Sequence, residues 1–322
     1  MPAPREPAPV ALVVEGGAMR GIFAAGVLDV FLEERFRPFD MAFGVSVGAS
    51  NILSYLAGQH GRARRCFLDQ MSRPEFIDPW RILRGGHWLD LDWLWSAITR
   101  EDPLDCAAAA ASGVDYNVVA TCAKTGEPRY LTPRADDMLD ALKASCALPF
   151  LYRGTVRVGL DELVDGGISD PLPVREAYRR GARTLVVVRS RAADFVKKDR
   201  LVNRFGAWTM RKRPPIARAC RSTPVAYREA VKFLGAPPGD CTVIQVAPLT
   251  KLATSRTSRD RAALERDYAL GRALGRDAIA RFEQLSGSRE PHFVGAAYQS
   301  RLRTSTPLPA SGASSSPTSD PR

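Results

Sequence analysis

The chain has 322 residues, 45% of them hydrophobic, and a formal net charge of +11 at pH 7. That is enough apolar material for one sizeable core with a smaller appended unit. No run approaches the roughly 18–20 apolar residues that cross a bilayer, which argues against an integral helical membrane protein. The six cysteines (Cys66, Cys106, Cys122, Cys146, Cys220 and Cys241) form no CxxC pair and have no histidine at ligand spacing, so neither a zinc site nor a disulfide framework is expected.

The opening "MPAPREPAPV" has no apolar h-region. Residues 1–9 are expected to be a flexible lead rather than a secretory signal, with the chain in the reducing cytoplasm. "VALVVE" (10–15) is a β-branched apolar run and predicts a buried strand. "GIFAAGVLDVFLEER" (21–35) places Ile22, Ala25, Val27, Leu28, Phe31 and Leu32 near helical spacing. A second strand is expected over 39–46 and a second helix over 47–61, closing at Gly61. Strands follow at 114–122, 129–132, 184–190 and 241–248, and helices at 137–147 and 261–285. Strands alternating with helices predict an α/β fold with a mostly parallel sheet. The segment 60–105 is less regular and holds Trp80, Trp88, Trp93 and Trp95, suited to core packing, an acyl pocket or a lid. The Ser/Pro-rich tail, 301–322, cannot bury a core and is expected to be disordered.

The charge is uneven. Residues 179–232 hold 16 Lys/Arg against 3 Asp/Glu, a surplus of 13, which leaves the remainder at −2. Such a segment is either a solvated surface or a patch for anionic headgroups or nucleic acid. No helix-turn-helix or aromatic RNA-binding motif accompanies it, so no specific nucleic-acid partner is expected.

Three loops carry candidate chemistry. The first is "GGAMRG" (16–21), between a strand and a helix. Gly16, Ala18 and Gly21 fall on the positions of a dinucleotide fingerprint. However, Ala18 stands where bare backbone should approach a pyrophosphate, and Asp40 lies at the start of the second strand rather than its end. What remains is a set of backbone N–H groups at a helix N-terminus, favourable to any anion. The second loop, "GVSVG" (44–48), is G-x-S-x-G in the strand–turn–helix context of a nucleophile elbow, with Ser46 flanked by Gly44 and Gly48. Its bland alternative is a tight turn whose serine caps the helix. The third, "LVDGGISDPLP" (163–173), puts Asp165 at a strand end before Gly166 and Gly167. A D-G turn is the ordinary reading, and a carboxylate able to reach an elbow serine is the chemical one. Among His60, His87 and His292, only His292 follows in the Ser…Asp…His order of an α/β-hydrolase triad.

Taken in order, "EGGAMRGIFAAGVLDVF", "FGVSVGASN", "ASCALPFLY" and "DGGISDPLPV" resemble the patatin-like phospholipase family, in its bacterial cytoplasmic branch. One departure is Ala18 in place of the third glycine of the family's G-G-G-x-R-G loop, which still offers an N–H. The resemblance implies a three-layer fold with a mostly parallel central sheet and helices on both faces. It implies a catalytic domain over 10–190 and a C-terminal extension over 191–290 packed on it. It also implies Ser46 as nucleophile, Asp165 as general base, and an oxyanion loop of Gly16, Gly17, Ala18, Met19, Arg20 and Gly21. Gly44 and Gly48 then belong to the elbow, and Gly166 and Gly167 to the base motif. The implied reaction is hydrolysis of a lipid acyl ester without metal or cofactor; the charge surplus, not the resemblance, adds the expectation of peripheral contact with anionic membrane through 179–232 from the cytoplasmic side. A non-enzymatic polyanion-binding scaffold and a Ser-Asp-His hydrolase are the alternatives.

Overall fold

The computed structural model of the chain describes residues 8–152, 154–195 and 210–287. Residues 1–7, His292 and the tail lie outside them. β1 (Val10–Val14), β2 (Met41–Val45) and β3 (Asp115–Cys122) open the sheet, and β4 (Pro128–Leu131) pairs antiparallel with β3. β5 (Val156–Val158), β6 (Asp161–Asp165), β7 (Thr184–Val188) and β8 (Thr242–Val246) complete it in the order β5-β6-β3-β2-β1-β7-β8. The four central pairings, β3-β2, β2-β1, β1-β7 and β7-β8, are parallel, and the β5-β6-β3 end is antiparallel. "VALVV" and "TLVVV" are continuous apolar runs because helices cover both faces of a parallel sheet.

α1 (Ile22–Glu33), α2 (Val47–Leu56) and α6 (Met138–Cys146) lie on one face, where Phe23, Val27, Ile52, Leu53 and Leu142 pack against Leu12, Val14 and Val186. Between α2 and α6 come α3 (Arg62–Arg65), α4 (Leu91–Glu101) and α5 (Cys106–Ala110). On the other face, α7 (Val174–Arg179) and α8 (Pro214–Gly235) cover Ala11, Val13, Phe43 and Leu185. α9 (Arg261–Gly287) closes over α1, whose residues 22–31 are buried all round because the helix is sandwiched between sheet and α9. The fold is therefore α/β in three layers around a mostly parallel sheet.

Local chemistry moves some expected boundaries. α2 stops at Leu56, short of Gly61, because Gly58 takes φ +71° and ends the helix as its left-handed cap. α8 has no counterpart in the expected elements. Its prolines argue against a helix, yet Pro214 and Pro215 sit where a missing N–H costs nothing, and only Pro224 is internal. Burial of Ile216, Cys220 and Tyr227 offsets that interior proline. Beyond 190, β8 extends the same sheet on β7, and α9 packs on α1. All six cysteines are free thiols. Among the described residues no helix is long and apolar enough to cross a membrane.

Candidate active site

Ser46 stands between β2 and α2 with φ 54° and ψ −131°, a conformation that costs a non-glycine residue about 1–3 kcal/mol. It occupies the position before α2, but its side chain caps nothing, which leaves Oγ outside the helix. The turn is tight: a Cβ on Gly44 would lie 2.4 Å from the Ala49 Cα, and one on Gly48 2.5 Å from the Val14 carbonyl. The Ser46 N–H donates to Ser145 Oγ (2.7 Å), and that hydroxyl donates to the Val119 carbonyl (2.6 Å). The elbow is thus pinned to β3 through α6.

Asp165 arrives by a sheet register. β4 pairs with residues 118–121 along one edge of β3. Residues 118 and 119 also pair with β2, and 120 and 121 with β6, so β2 and β6 share the opposite edge. Val45 lies opposite Val119, and Asp165 opposite Ala120. The two strands meet head to head, C-terminus against C-terminus, about one residue rise of 3.3 Å apart along β3. Each chain must turn aside there: Ser46 into its elbow, and Gly166 into a turn so close to β3 that a Cβ would lie 2.1 Å from the Val119 carbonyl. The Asp165 carboxylate is buried and accepts from the Gly167 N–H (2.7 Å). Thr121 Oγ1 donates to its backbone carbonyl (2.8 Å).

The glycine-rich loop lies across from both. Ala18 has φ +49°, the left-handed region that the family's glycine enters freely and an alanine pays about 1–2 kcal/mol to occupy. The Met19 N–H donates to the Arg256 carbonyl and the Arg20 N–H to the Gly17 carbonyl, each at 3.3 Å. The Gly17 and Ala18 amides donate to none of the described residues. Of the six loop residues anticipated, Gly16, Gly17 and Ala18 keep donors that no described residue takes, while Met19 and Arg20 use theirs in holding the loop.

Ser46, Asp165, Gly16, Gly17, Ala18 and Arg20 line one cleft of about 140 Å³. A second cavity of about 60 Å³ shares Ser46, Ala18 and Cys146 with it and runs into apolar surroundings, among them Phe67, Met71, Leu94, Trp95 and Ile98. Ser46 therefore stands where a cleft of mixed charged and apolar lining meets an apolar one. Trp95 belongs to the apolar lining, Trp88 and Trp93 pack against the same cluster, and Trp80 is exposed.

Several site residues carried no sequence signal. The Cys146 thiol hydrogen-bonds the Ser46 and Ser50 hydroxyls, and burial, with the Asp165 charge beside it, pushes it up to about 12. A thiol so placed stays protonated at neutral pH and bridges the surroundings of Ser46 and Asp165. Glu15, buried behind the loop, accepts from Ser190 N (2.7 Å) and Oγ (3.3 Å), and Ser190 Oγ also lies 2.9 Å from the Gly16 carbonyl. The only available signal was position: Glu15 follows β1 and Ser190 follows β7, its parallel neighbour. No histidine among the described residues lines the cleft. His60 pairs with Glu33 (2.7 Å) and His87 stacks on Tyr152.

A family model described as patatin-like phospholipase matches residues 12–178, and one described as a domain of unknown function (DUF6363) matches 213–287. The uncharacterized protein YjjU of Escherichia coli K12 is 36% identical over 292 residues, covering 89% of this chain and 82% of that protein. Among solved structures, VipD from Legionella pneumophila is similar at a TM-score of 0.41 and 15% identity, over 85% of this chain and 67% of that one.

Proposed function

Since the chain belongs to the patatin-like phospholipase family, a family of lipid acyl hydrolases, we propose that it hydrolyses lipid acyl esters with Ser46 as nucleophile and Asp165 as general base. The observation that carries this reading is the head-to-head meeting of β2 and β6 on β3, which brings the two strand ends into one cleft.

Ser46 Oγ attacks the ester carbonyl carbon as its proton passes to the Asp165 carboxylate. The tetrahedral oxyanion takes the free Gly17 and Ala18 amides, each such donor being worth on the order of 10²–10³ in turnover. Collapse breaks the ester C–O bond, and the leaving alcohol takes the proton from Asp165. Water then attacks the acyl-enzyme, gives a proton to Asp165, and releases the fatty acid while Ser46 regains its hydrogen. The apolar cavity opening at Ser46 suits the acyl chain. A fluorophosphonate, whose phosphorus mimics the tetrahedral state, should label one serine, and peptide mapping should find it on Ser46. Labelling elsewhere, or none in a preparation that cleaves p-nitrophenyl butyrate, rules Ser46 out.

We also propose peripheral binding to anionic membrane, narrowed to α8. Of the basic residues in 179–232, Arg189 is fully buried, Arg179 and Arg180 hold Glu176, and Arg183 holds Asp240. Residues 196–209 lie outside the described part. Arg218, Arg221, Val225, Arg228 and Lys232 are exposed and recur at helical spacing, forming one stripe along α8. Each basic residue facing an anionic surface contributes up to about 1 kcal/mol, and salt screens it. Vesicle co-sedimentation should show binding to anionic but not zwitterionic lipid, lost at roughly 1 M salt. Equal binding to both lipids, or to neither at low salt, refutes it.

A further inference from the structure

The cleft beside Ser46 carries more positive charge than hydrolysis of a neutral ester needs. Three guanidinium groups line it: Arg20 from the glycine loop, Arg191 just after β7, and Arg256 from the segment between β8 and α9. Arg20 is 7% exposed, and the one hydrogen bond its guanidinium makes to the described residues runs from Nε to the Gly17 carbonyl at 3.4 Å. No carboxylate among the described residues forms an ion pair with it. Glu15, whose charge acts on Arg20, is engaged by Ser190 and by the Tyr227 hydroxyl. Burial and the positive field of Arg191, only partly offset by Glu15, push Arg20 down to about 9. A buried cation without a partner is costly to keep unless an anion completes the site.

The guanidinium of Arg191 is placed by a ring, and Arg256 is exposed on a segment whose backbone is held. Arg191 follows Ser190, which Glu15 anchors, and its guanidinium lies over the Phe195 ring at 4.3 Å. The Arg256 segment is held at one end by Asp267, which accepts from Ala253 N (3.2 Å) and Thr254 N (2.7 Å). At the other it is held by the bond from Met19 N to the Arg256 carbonyl. The C-terminal region therefore supplies one wall of the cleft.

Resting on the acyl-hydrolase reading above, we propose that Arg20, Arg191 and Arg256 form a headgroup subsite that selects acyl esters bearing a phosphate monoester over those bearing a zwitterionic phosphodiester. Two features set this preference. Among the described residues of the cleft three guanidiniums face two carboxylates, Glu15 and Asp165, and the positive surplus favours a headgroup of net negative charge. A choline or ethanolamine ammonium would meet like charge in a partly desolvated space, which discriminates against it.

The test compares kcat/KM of the full chain for 1-oleoyl lysophosphatidate and 1-oleoyl lysophosphatidylcholine, which share the acyl chain and ester. The expected ratio is about ten or more in favour of the monoester, the scale of two or three charge-assisted contacts. Arg191→Gln and Arg256→Gln should each lower that ratio several-fold, and Arg256→Lys should keep most of it. A ratio near one in the parent chain overturns the proposal, as do equal losses on both lipids in both variants. Should the chain hydrolyse neither lipid nor p-nitrophenyl butyrate, the hydrolase reading fails separately. Calorimetry on Ser46→Ala then decides the subsite: selective binding of lysophosphatidate sustains it, and equal binding of the two lipids refutes it. Inorganic phosphate binding as tightly as lysophosphatidate would mark a free-phosphate site and overturn the lipid assignment.

Discussion

Ser46→Ala and Asp165→Asn are each expected to lower ester turnover by about 10³-fold or more, with the folded state retained. Alanine removes the only atom that bonds to the acyl group, and nothing else at the elbow replaces it. Asparagine keeps the shape of Asp165 and can still accept from the Gly167 N–H, but it cannot take up the serine proton. The loss should therefore fall in kcat rather than in substrate affinity, because the bond and the proton transfer belong to the transition state. Steady-state hydrolysis of p-nitrophenyl butyrate, with circular dichroism of each variant, measures both. Near-native turnover in either folded variant would refute the assigned pair.

Gly271→Val is expected to destabilise the chain by about 3 kcal/mol or more, at the upper end for an overpacked site. A Cβ at Gly271 on α9 would lie 2.0 Å from the Phe23 carbonyl of α1, and one at Gly26 on α1 2.2 Å from the Tyr268 carbonyl of α9. The obstacles are backbone atoms, so rotamer changes cannot relieve them and the helices must separate. That opens the apolar layer around Phe23, Val27 and Ala278. A melting temperature lowered by roughly 5–10 °C is the expected result. Gly235→Ala, with nothing within 4 Å of its added Cβ, is the control and should change stability by no more than about 0.5 kcal/mol. Equal melting of Gly271→Val and the control would mean that α9 does not pack on α1 as described.

How far such features can be read from the chain alone depends on the range of the interaction. β1, α1, β2 and the start of α2 were legible because each is written in local apolar periodicity and in glycines at its ends. The candidate residues Ser46, Asp165 and the 16–21 loop were legible too, as short motifs whose order is itself a pattern. The head-to-head meeting of β2 and β6 was not. It joins residues more than a hundred positions apart through a register on β3, and no spacing along the chain encodes a register. Ser145 and Cys146, inside the quoted ASCALPFLY, and Ser190 showed no role in the sequence for the same reason: ordinary residues acquire roles only from what the sheet and α6 bring beside them. α8 was hidden differently, because Pro224 speaks against a helix locally and is overruled by buried Ile216, Cys220 and Tyr227. Charge was visible as a sum, +13 over 179–232, but its use was not. Folding buries Arg189, pairs Arg179, Arg180 and Arg183 with acids, lines up the basic face of α8 and turns Arg191 toward the cleft. Sequence determined β1, α1, β2 and the reactive turns, because those rest on contacts within a few residues. Tertiary structure decided which turns share a cleft and which charges stay in water, because both depend on contacts the chain makes only once the sheet has closed.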